Sequence, residues 1–332
     1  MNKIAIIGDG GWGTALSILI SRKNFQVFLY SPFADYAEFL RESRENAKFL
    51  PGVKIPAEIE ITSDLSLALT GAKLAILAVP SQYMRASLGR IKKNDFAGMK
   101  FLSVAKGLEE NSAKRMSEVI YEELGRVDLA VLSGPNIAAE VALGIPSASV
   151  CASKNKKLAG MVQDVLMSDG FRVYTSNDLA GVELGGAFKN IIAIACGISD
   201  GLGFGTNTKA ALLCRGLIEI TRMGTILGGA QKTFYGLSGM GDLVTTCMSL
   251  QSRNRWLGEE LGRGKRLATV LASTKMVVEG VSTAKTALKL ARKNQLAMPI
   301  TEQVCNVLFR DKAPLEALRA LMLRSKKEEG IK

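Results

Sequence analysis

The opening stretch constrains the fold more than any other part of the chain. Lys3 to Gly8 reads KIAIIG, a short apolar run of strand type. It passes without a linker into Asp9-Gly10-Gly11-Trp12-Gly13-Thr14-Ala15-Leu16, which opens an amphipathic helix to about Arg22. Gly8, Gly10 and Gly13 thus carry the spacing G-x-G-x-x-G between a buried strand and a helix start, the setting in which that spacing has meaning. The first glycine permits a tight turn, the second lets backbone N–H groups reach a pyrophosphate at the helix N terminus, and the third lets helix and strand lie close. A purely structural glycine turn is the alternative, and the strand-turn-helix context favours the nucleotide.

The pattern after this turn repeats. Strands are expected at Gln26–Tyr30, Ile59–Thr62, Leu74–Pro80, Phe101–Val104, Leu129–Leu132, Ser147–Ala152 and Phe171–Tyr174, with helices at Asp35–Lys48, Leu65–Leu69, Tyr83–Lys92, Ala113–Leu124 and Lys156–Met167. Alternation of this kind specifies a doubly wound, mainly parallel sheet whose ligands lie at the carboxyl ends of the strands. Three polar turns fall at such ends: Pro80-Ser81, Ala105-Lys106-Gly107 and Ser133-Gly134-Pro135-Asn136. Lys106 is either a cation placed at the ligand end or an exposed loop lysine. After Asn177 strands almost disappear and helices are expected to the end, so two domains are read: a Rossmann-like domain over 1–177 and an all-helical domain over 178–332. The tail from Lys326 to Lys332 reads as a frayed, solvated end.

Within the helical half, GVELGGAFKNIIAIACGISDGLGFG (Gly181–Gly205) sets one cation, Lys189, in a mainly apolar helix. On a helical period Leu184, Phe188, Ile191, Ile192 and Ala195 share the packing side, while Lys189 shares its side with Gly185, Gly186, Ala193 and Cys196. Glycine costs about 1 kcal/mol against alanine in a helix interior, so a close crossing or a ligand must lie behind it. Either the small neighbours leave room at the lysine nitrogen, or another helix crosses closely and the amine snorkels to water. Asp242, in Gly239-Met240-Gly241-Asp242-Leu243, stands at a helix start and can be an N-cap or a chemical group. Gln251-Ser252-Arg253-Asn254-Arg255 begins a further helix with the residue types that suit a phosphate, or simply caps it.

Composition narrows the chemistry. Histidine is absent, which removes serine triads with histidine and HExxH zinc sites. The five cysteines are scattered and odd in number, so neither a disulfide framework nor a metal site is indicated. The net charge of +12 lies in short, separated clusters without interleaved aromatics, which argues against nucleic acid. No apolar run reaches the roughly eighteen residues of a membrane span and no signal-peptide profile is present, so a cytoplasmic protein is expected.

Taken in order, GDGGWGTAL, NAKFLPG, VPSQ, SVAKGL, SGPNIAAEVA, GGAFKNIIAIACGISDGLGFG, GLSGMGDLVTTC, QSRNRWLG, VVEG and MPITE resemble the NAD(P)-dependent glycerol-3-phosphate dehydrogenases of bacterial type over essentially the whole chain. The resemblance implies hydride transfer between NAD or NADP and C2 of sn-glycerol 3-phosphate or dihydroxyacetone phosphate, supplying glycerol 3-phosphate for phospholipid synthesis. It implies Lys189 as proton acceptor and donor, with Lys106 and Asp242 beside it in the catalytic set. An unperturbed lysine titrates near pH 10.4, so desolvation or a neighbouring cation such as Lys106 is expected to lower Lys189. Gly134, Asn136 and Thr246 are implied at the substrate, with Ser252, Arg253 and Asn254 as its phosphate grip. Gly11, Trp12, Lys106, Ala138, Arg253, Val277 and Glu279 are implied at the cofactor. Two positions depart from the family pattern: Asp9 replaces the commoner alanine, and Pro32 stands where many relatives carry a basic residue. Strand two ends in Ser31-Pro32-Phe33, with Asp35 the nearest carboxylate along the chain, and the choice between NAD and NADP stays open. Other readings are a lysine-dependent ketopantoate or beta-hydroxyacid reductase, which lacks the phosphate grip, and a non-catalytic nucleotide-sensing regulator. No metal is expected, and the apolar helices of the second domain allow a homodimer.

Overall fold

The computed structural model describes residues 2–91, 96, 98–274, 276–326 and 328–329. They form two compact units, one of Met1–Lys106 with Arg115–Leu179, the other of Gly107–Lys114 with Ala180–Lys332.

The first unit is built on β1 (Asn2–Ile7), β2 (Phe25–Tyr30), β3 (Glu45–Asn46), β4 (Leu50–Lys54), β5 (Glu60–Thr62), β6 (Ala72–Leu77), β7 (Lys100–Ser103), β8 (Asp128–Ser133), β9 (Ser147–Ala152) and β10 (Phe171–Ser176). Eight of them make one sheet in the order β10-β9-β8-β7-β6-β1-β2-β5. All its pairings are parallel except β8 with β9. The order reverses at β1 and β6, whose register runs Ile4 to Leu74 through Ile7 to Leu77, and this reversal makes the crevice where such sheets bind ligands. Burial on both faces explains the unbroken apolar run of β1. Ile4 and Ile6 pack on one side with residues of the Gly11–Ser21 and Lys156–Leu166 helices, Ala5 and Ile7 on the other with residues of the Met84–Leu88 and Met116–Leu124 helices.

Several boundaries differ from the sequence reading. The helix expected to reach Lys48 spans Ala34–Ser43. Arg44 takes a left-handed conformation (φ 50°) and donates to the carbonyls of Pro56 and Ile59, which stops the helix and frees β3 and β4 to pair as an antiparallel hairpin. Ala138–Leu143, for which no element was expected, is a short helix ending at a left-handed Gly144. The helix expected over Tyr83–Lys92 is a single turn, Ser81–Tyr83, followed by Met84–Leu88, and Lys92 lies outside the described residues. The same holds for Lys327 and residues 330–332 of the expected frayed tail. The helix expected from Ala113 starts at Met116, because Gly107–Lys114 belongs to the second unit: Leu108 is buried in that unit's core and Glu110 pairs with Lys285 at 2.6 Å.

The second unit is helical, with helices Leu179–Gly201, Thr206–Ile226, Asp242–Met248, Arg253–Gly262, Leu267–Ala272, Glu279–Lys293, Pro299–Phe309 and Pro314–Met322. Proline opens the last two, at the position where its missing N–H costs nothing. Leu179–Gly201 is the axis of this unit, buried on every side from residue 181 to 199. By length and composition alone it could cross a membrane, although no unbroken apolar run marks it; here its flanks are covered by the unit's own helices.

Candidate active site

The glycine turn works through its backbone. Gly8 has φ +119°, a conformation side chains rarely adopt, and a Cβ at Gly13 would stand 2.0 Å from the Gly8 carbonyl oxygen. Gly10 differs, since a Cβ there would meet nothing within 4 Å. Gly10 is the N-cap of the Gly11–Ser21 helix, no side chain caps that end, and its first turn holds no acid. Open space in front of an uncapped helix N terminus fits a pyrophosphate, because the N–H groups and the dipole both favour an anion. Gly11 and Ala138, both implied cofactor contacts, are neighbours, with Trp12 packed on the same core. Asp9 turns away from this space: its carboxylate accepts a hydrogen bond from the Ser31 hydroxyl at 2.5 Å. Burial pushes the Asp9 carboxyl up, opposed by that hydrogen bond and by the Lys48 charge.

The turn is held by a residue the sequence reading did not single out. Asn46, fully buried in β3, donates through Nδ2 to the Asp9 carbonyl and to Thr14 Oγ1, each at 2.7 Å, and accepts from the Tyr36 hydroxyl. The only available signal was the NAKFLPG stretch, and the helix expected to reach Lys48 concealed its first residue.

At the other strand ends of this unit, Lys106 donates to the Gly134 carbonyl at 2.9 Å, so two implied substrate residues meet. Asn136 is tied to β9: its Nδ2 donates to Ala148 O and its Oδ1 accepts from Ser149 Oγ. That side chain therefore fastens the Gly134 turn to the sheet.

In the helical unit Lys189 is 5% exposed and does not snorkel to water. Its Nζ lies 2.8 Å from Asp242 Oδ1 and donates to Thr246 Oγ1, whose hydroxyl in turn lies 3.3 Å from Asp242 Oδ1. Asp242 is the first residue of its helix rather than the cap, follows a turn of π-helix at Leu237–Gly241, and points inward. The charge that Asp242 sets beside Lys189 is thus an anion. Gly185 accounts for one of the small residues: a Cβ there would stand 2.6 Å from the Ser238 carbonyl oxygen, so the loop carrying Asp242 can approach. Cys247, also close to Lys189, is pushed well up by its contact with Cys196 and by burial, and stays a neutral thiol.

The Ser252 segment divides its labour. Ser252 Oγ accepts from Arg255 N as a true N-cap. Arg255 runs inward to Asp200 at 2.7 Å, whereas Arg253 is exposed and has Glu279 as its charged neighbour. Asn254 donates to Asn190 Oδ1 and accepts from Gly280 N, each at 2.9 Å, locking this helix start to the residue after Lys189 and to the start of the Glu279–Lys293 helix. Val277, next to that start, is half-buried.

A Rossmann unit with an open glycine turn, together with a helical unit holding a buried Lys–Asp–Thr cluster, defines an NAD(P)-dependent oxidoreductase. Residues 3–159 match the family model described as NAD-dependent glycerol-3-phosphate dehydrogenase N-terminus, and residues 178–319 match the corresponding C-terminus. The chain is 50% identical to the glycerol-3-phosphate dehydrogenase [NAD(P)+] of Pelotomaculum thermopropionicum, covering 98% of this chain and 95% of that protein. It is 47% identical to the protein of the same name from Desulfitobacterium hafniense, covering 99% of this chain and 93% of that one. The crystal structure of a glycerol-3-phosphate dehydrogenase from Coxiella burnetii superposes with a TM-score of 0.94 at 38% identity, covering 97% of this chain and 99% of that one. The chain belongs to the NAD-dependent glycerol-3-phosphate dehydrogenase family.

Proposed function

We propose that the protein interconverts sn-glycerol 3-phosphate and dihydroxyacetone phosphate, with Lys189 as the group that takes and returns the C2 hydroxyl proton. The observation that carries this reading is the buried contact of Lys189, the one cation of a mainly apolar helix, with Asp242 and Thr246. Burying an ion pair is costly, and replacing one by well-packed apolar residues is often neutral or stabilising, so a chemical task accounts for its presence better than stability does.

Nicotinamide, when bound, would supply the hydride acceptor in oxidation and the hydride donor in reduction. As ketone is reduced, the Lys189 ammonium donates one proton to the oxygen at C2, and the resulting amine is neutral. In oxidation the neutral amine accepts that proton while C2 loses hydride, so charge and atoms balance. Asp242 stabilises the ammonium and orients Nζ, and Thr246 holds the same nitrogen on a second side. Arg253, exposed at a helix N terminus, suits the substrate phosphate, where guanidinium and dipole act together. Gly8, Gly10, Gly11, Trp12, Gly13 and Ala138 would hold the dinucleotide in the Rossmann unit, with Lys106 and Gly134 at the strand ends next to them. Val277 and Glu279 are further candidates for cofactor contacts, and Asn136, Ser252 and Asn254 would act by positioning. We place the enzyme in the cytoplasm, feeding phospholipid synthesis.

The test is oxidation of NADH or NADPH, followed by nicotinamide absorbance, with dihydroxyacetone phosphate and with unphosphorylated dihydroxyacetone. Turnover confined to the phosphorylated ketone is expected. Equal turnover of both ketones, or none with protein that binds the cofactor, would overturn the reading.

A further inference from the structure

β2 ends without the acidic residue that, in NAD-binding Rossmann folds, accepts a hydrogen bond from the adenosine ribose 2′-hydroxyl, and without the arginine that takes a 2′-phosphate. The tertiary structure brings an acid to that place by another route. Asp9 belongs to the turn after β1, and β1 pairs with β2 in register from Asn2 with Phe25 to Ile7 with Tyr30. The turn therefore runs beside the carboxyl end of β2, where the Gly8 N–H donates to Tyr30 O at 3.1 Å. From there the Asp9 carboxylate reaches Ser31 Oγ at 2.5 Å. Ser31 is itself fixed: it is fully buried, its N–H donates to Thr62 O, and its hydroxyl receives the Phe33 N–H at 3.3 Å. Beyond it Pro32 and Phe33 are exposed and apolar, Phe33 to 66%.

We propose that Asp9 is a specificity-determining residue that makes this chain select NAD over NADP. Its carboxylate, carried from the β1 turn to the end of β2, stands where the adenosine ribose is read, and its charge opposes a 2′-phosphate. Asp9 is only 8% exposed, and a charge with little water around it acts at longer range than one on the surface. Its field is already felt by a neighbour: burial and the Asp9 charge together push the Tyr36 hydroxyl up to about 12. One cation competes. Lys48 is exposed, lies over the rings of Phe49 and Tyr36 at 4.6 and 5.5 Å, and has Asp9 as a charge partner. Lys48 offset by Asp9 is a poor receptor for a dianion, whereas Lys48 with Asp9 removed would be a better one.

This inference rests on the cofactor reading of the glycine turn. The experiment is direct binding of NADH and NADPH to the full chain by calorimetry, for wild type, Asp9→Asn, Asp9→Ala and Lys48→Ala. Asp9→Asn keeps an acceptor for the Ser31 hydroxyl and removes the charge, so it covers the case in which alanine disturbs the turn. Wild type is expected to bind NADH more tightly than NADPH by on the order of tenfold or more, and both Asp9 variants to gain NADPH affinity by a similar factor while binding NADH no more tightly than wild type. Equal or tighter binding of NADPH by wild type would overturn the proposal. Parallel loss of both dinucleotides in Asp9→Asn would do the same, since it marks a structural role, as would loss of NADPH affinity in Lys48→Ala with Asp9 present. Failure of either dinucleotide to bind wild type would overturn the cofactor reading as well, a result distinguishable from equal binding.

Discussion

The glycine turn of the first unit and the Lys189 helix of the second solve opposite problems. The turn has to present backbone N–H groups to an anion, so it dispenses with side chains: Gly8 needs its positive φ, Gly13 its contact with the Gly8 carbonyl, and Gly10 its open space. The helix has to hold a charged nitrogen away from water, so it depends on side chains and partners: Lys189 is kept by Asp242 and Thr246 inside a layer of apolar helices. The first site is built from conformational freedom and a dipole, the second from a desolvated charge whose cost is offset locally. Substitutions should therefore fail in different ways in the two places.

The largest effect is expected from Lys189→Met. Turnover should fall by about 10²–10⁴-fold, the usual contribution of a positioned acid–base group, while calorimetric affinity for the dinucleotide stays close to wild type. Near-normal turnover would remove Lys189 from the mechanism and leave the helix a purely structural core.

Asp242→Ala comes next and reads out as stability. It leaves a buried ammonium without its anion, and urea unfolding should show a loss of about 3–5 kcal/mol. The paired change Lys189→Met with Asp242→Leu should recover most of that loss with no recovery of activity. If the pair is no more stable than Asp242→Ala, the cost lies in packing and the contrast between the two regions weakens.

A second buried carboxylate extends the contrast to pH. Glu219 accepts from Ile300 N, Thr301 N and Thr301 Oγ1 at the start of the Pro299–Phe309 helix, and burial outweighs these donors to push it from 4.5 to about 7. The folded chain then retains a proton that the unfolded chain releases. This contribution is fully present below about pH 4.5 and is lost as pH rises to about 7, on the order of 3 kcal/mol in all. Urea midpoints measured across that range should fall with pH more steeply in wild type than in Glu219→Gln. Parallel pH profiles would mean that the three donors keep Glu219 ionised throughout.

In the glycine turn, Gly13→Ala and Gly10→Ala sharpen the comparison from the other side. A methyl at Gly13 must displace the Gly8 carbonyl, and a stability loss of about 1–3 kcal/mol is expected, with dinucleotide affinity reduced as well. A methyl at Gly10 meets no protein atom, so melting should be nearly unchanged while dinucleotide affinity falls. Equal loss of stability in the two variants would show that the open space at Gly10 closes in solution.

The smallest effect is that of Ser252→Ala, about 1 kcal/mol of stability for a lost N-cap. A larger loss of affinity for dihydroxyacetone phosphate than Arg253→Ala produces would reassign the phosphate contact from the guanidinium to the hydroxyl.

What the sequence settled by itself follows from short-range physics. The strand, turn and helix at Lys3 to Arg22 are legible because glycine spacing and apolar runs are local properties, and the parallel sheet follows from alternation. The Leu179–Gly201 helix and its single lysine were visible for the same reason. Tertiary structure alone decided what each polar residue faces. That Asp242 turns to Lys189 rather than capping its own helix, that Arg255 goes inward and Arg253 outward, and that Asn46 braces the glycine turn are contacts between segments far apart in the chain. The same is true of Gly107–Lys114, whose strand-end sequence reads as part of the first unit although Leu108 enters the core of the second. Asp9 shows the distinction most clearly. Its carboxylate was plain in the sequence, but only the pairing of β1 with β2 sets it against Ser31, because side-chain direction at a turn depends on where the neighbouring strand ends.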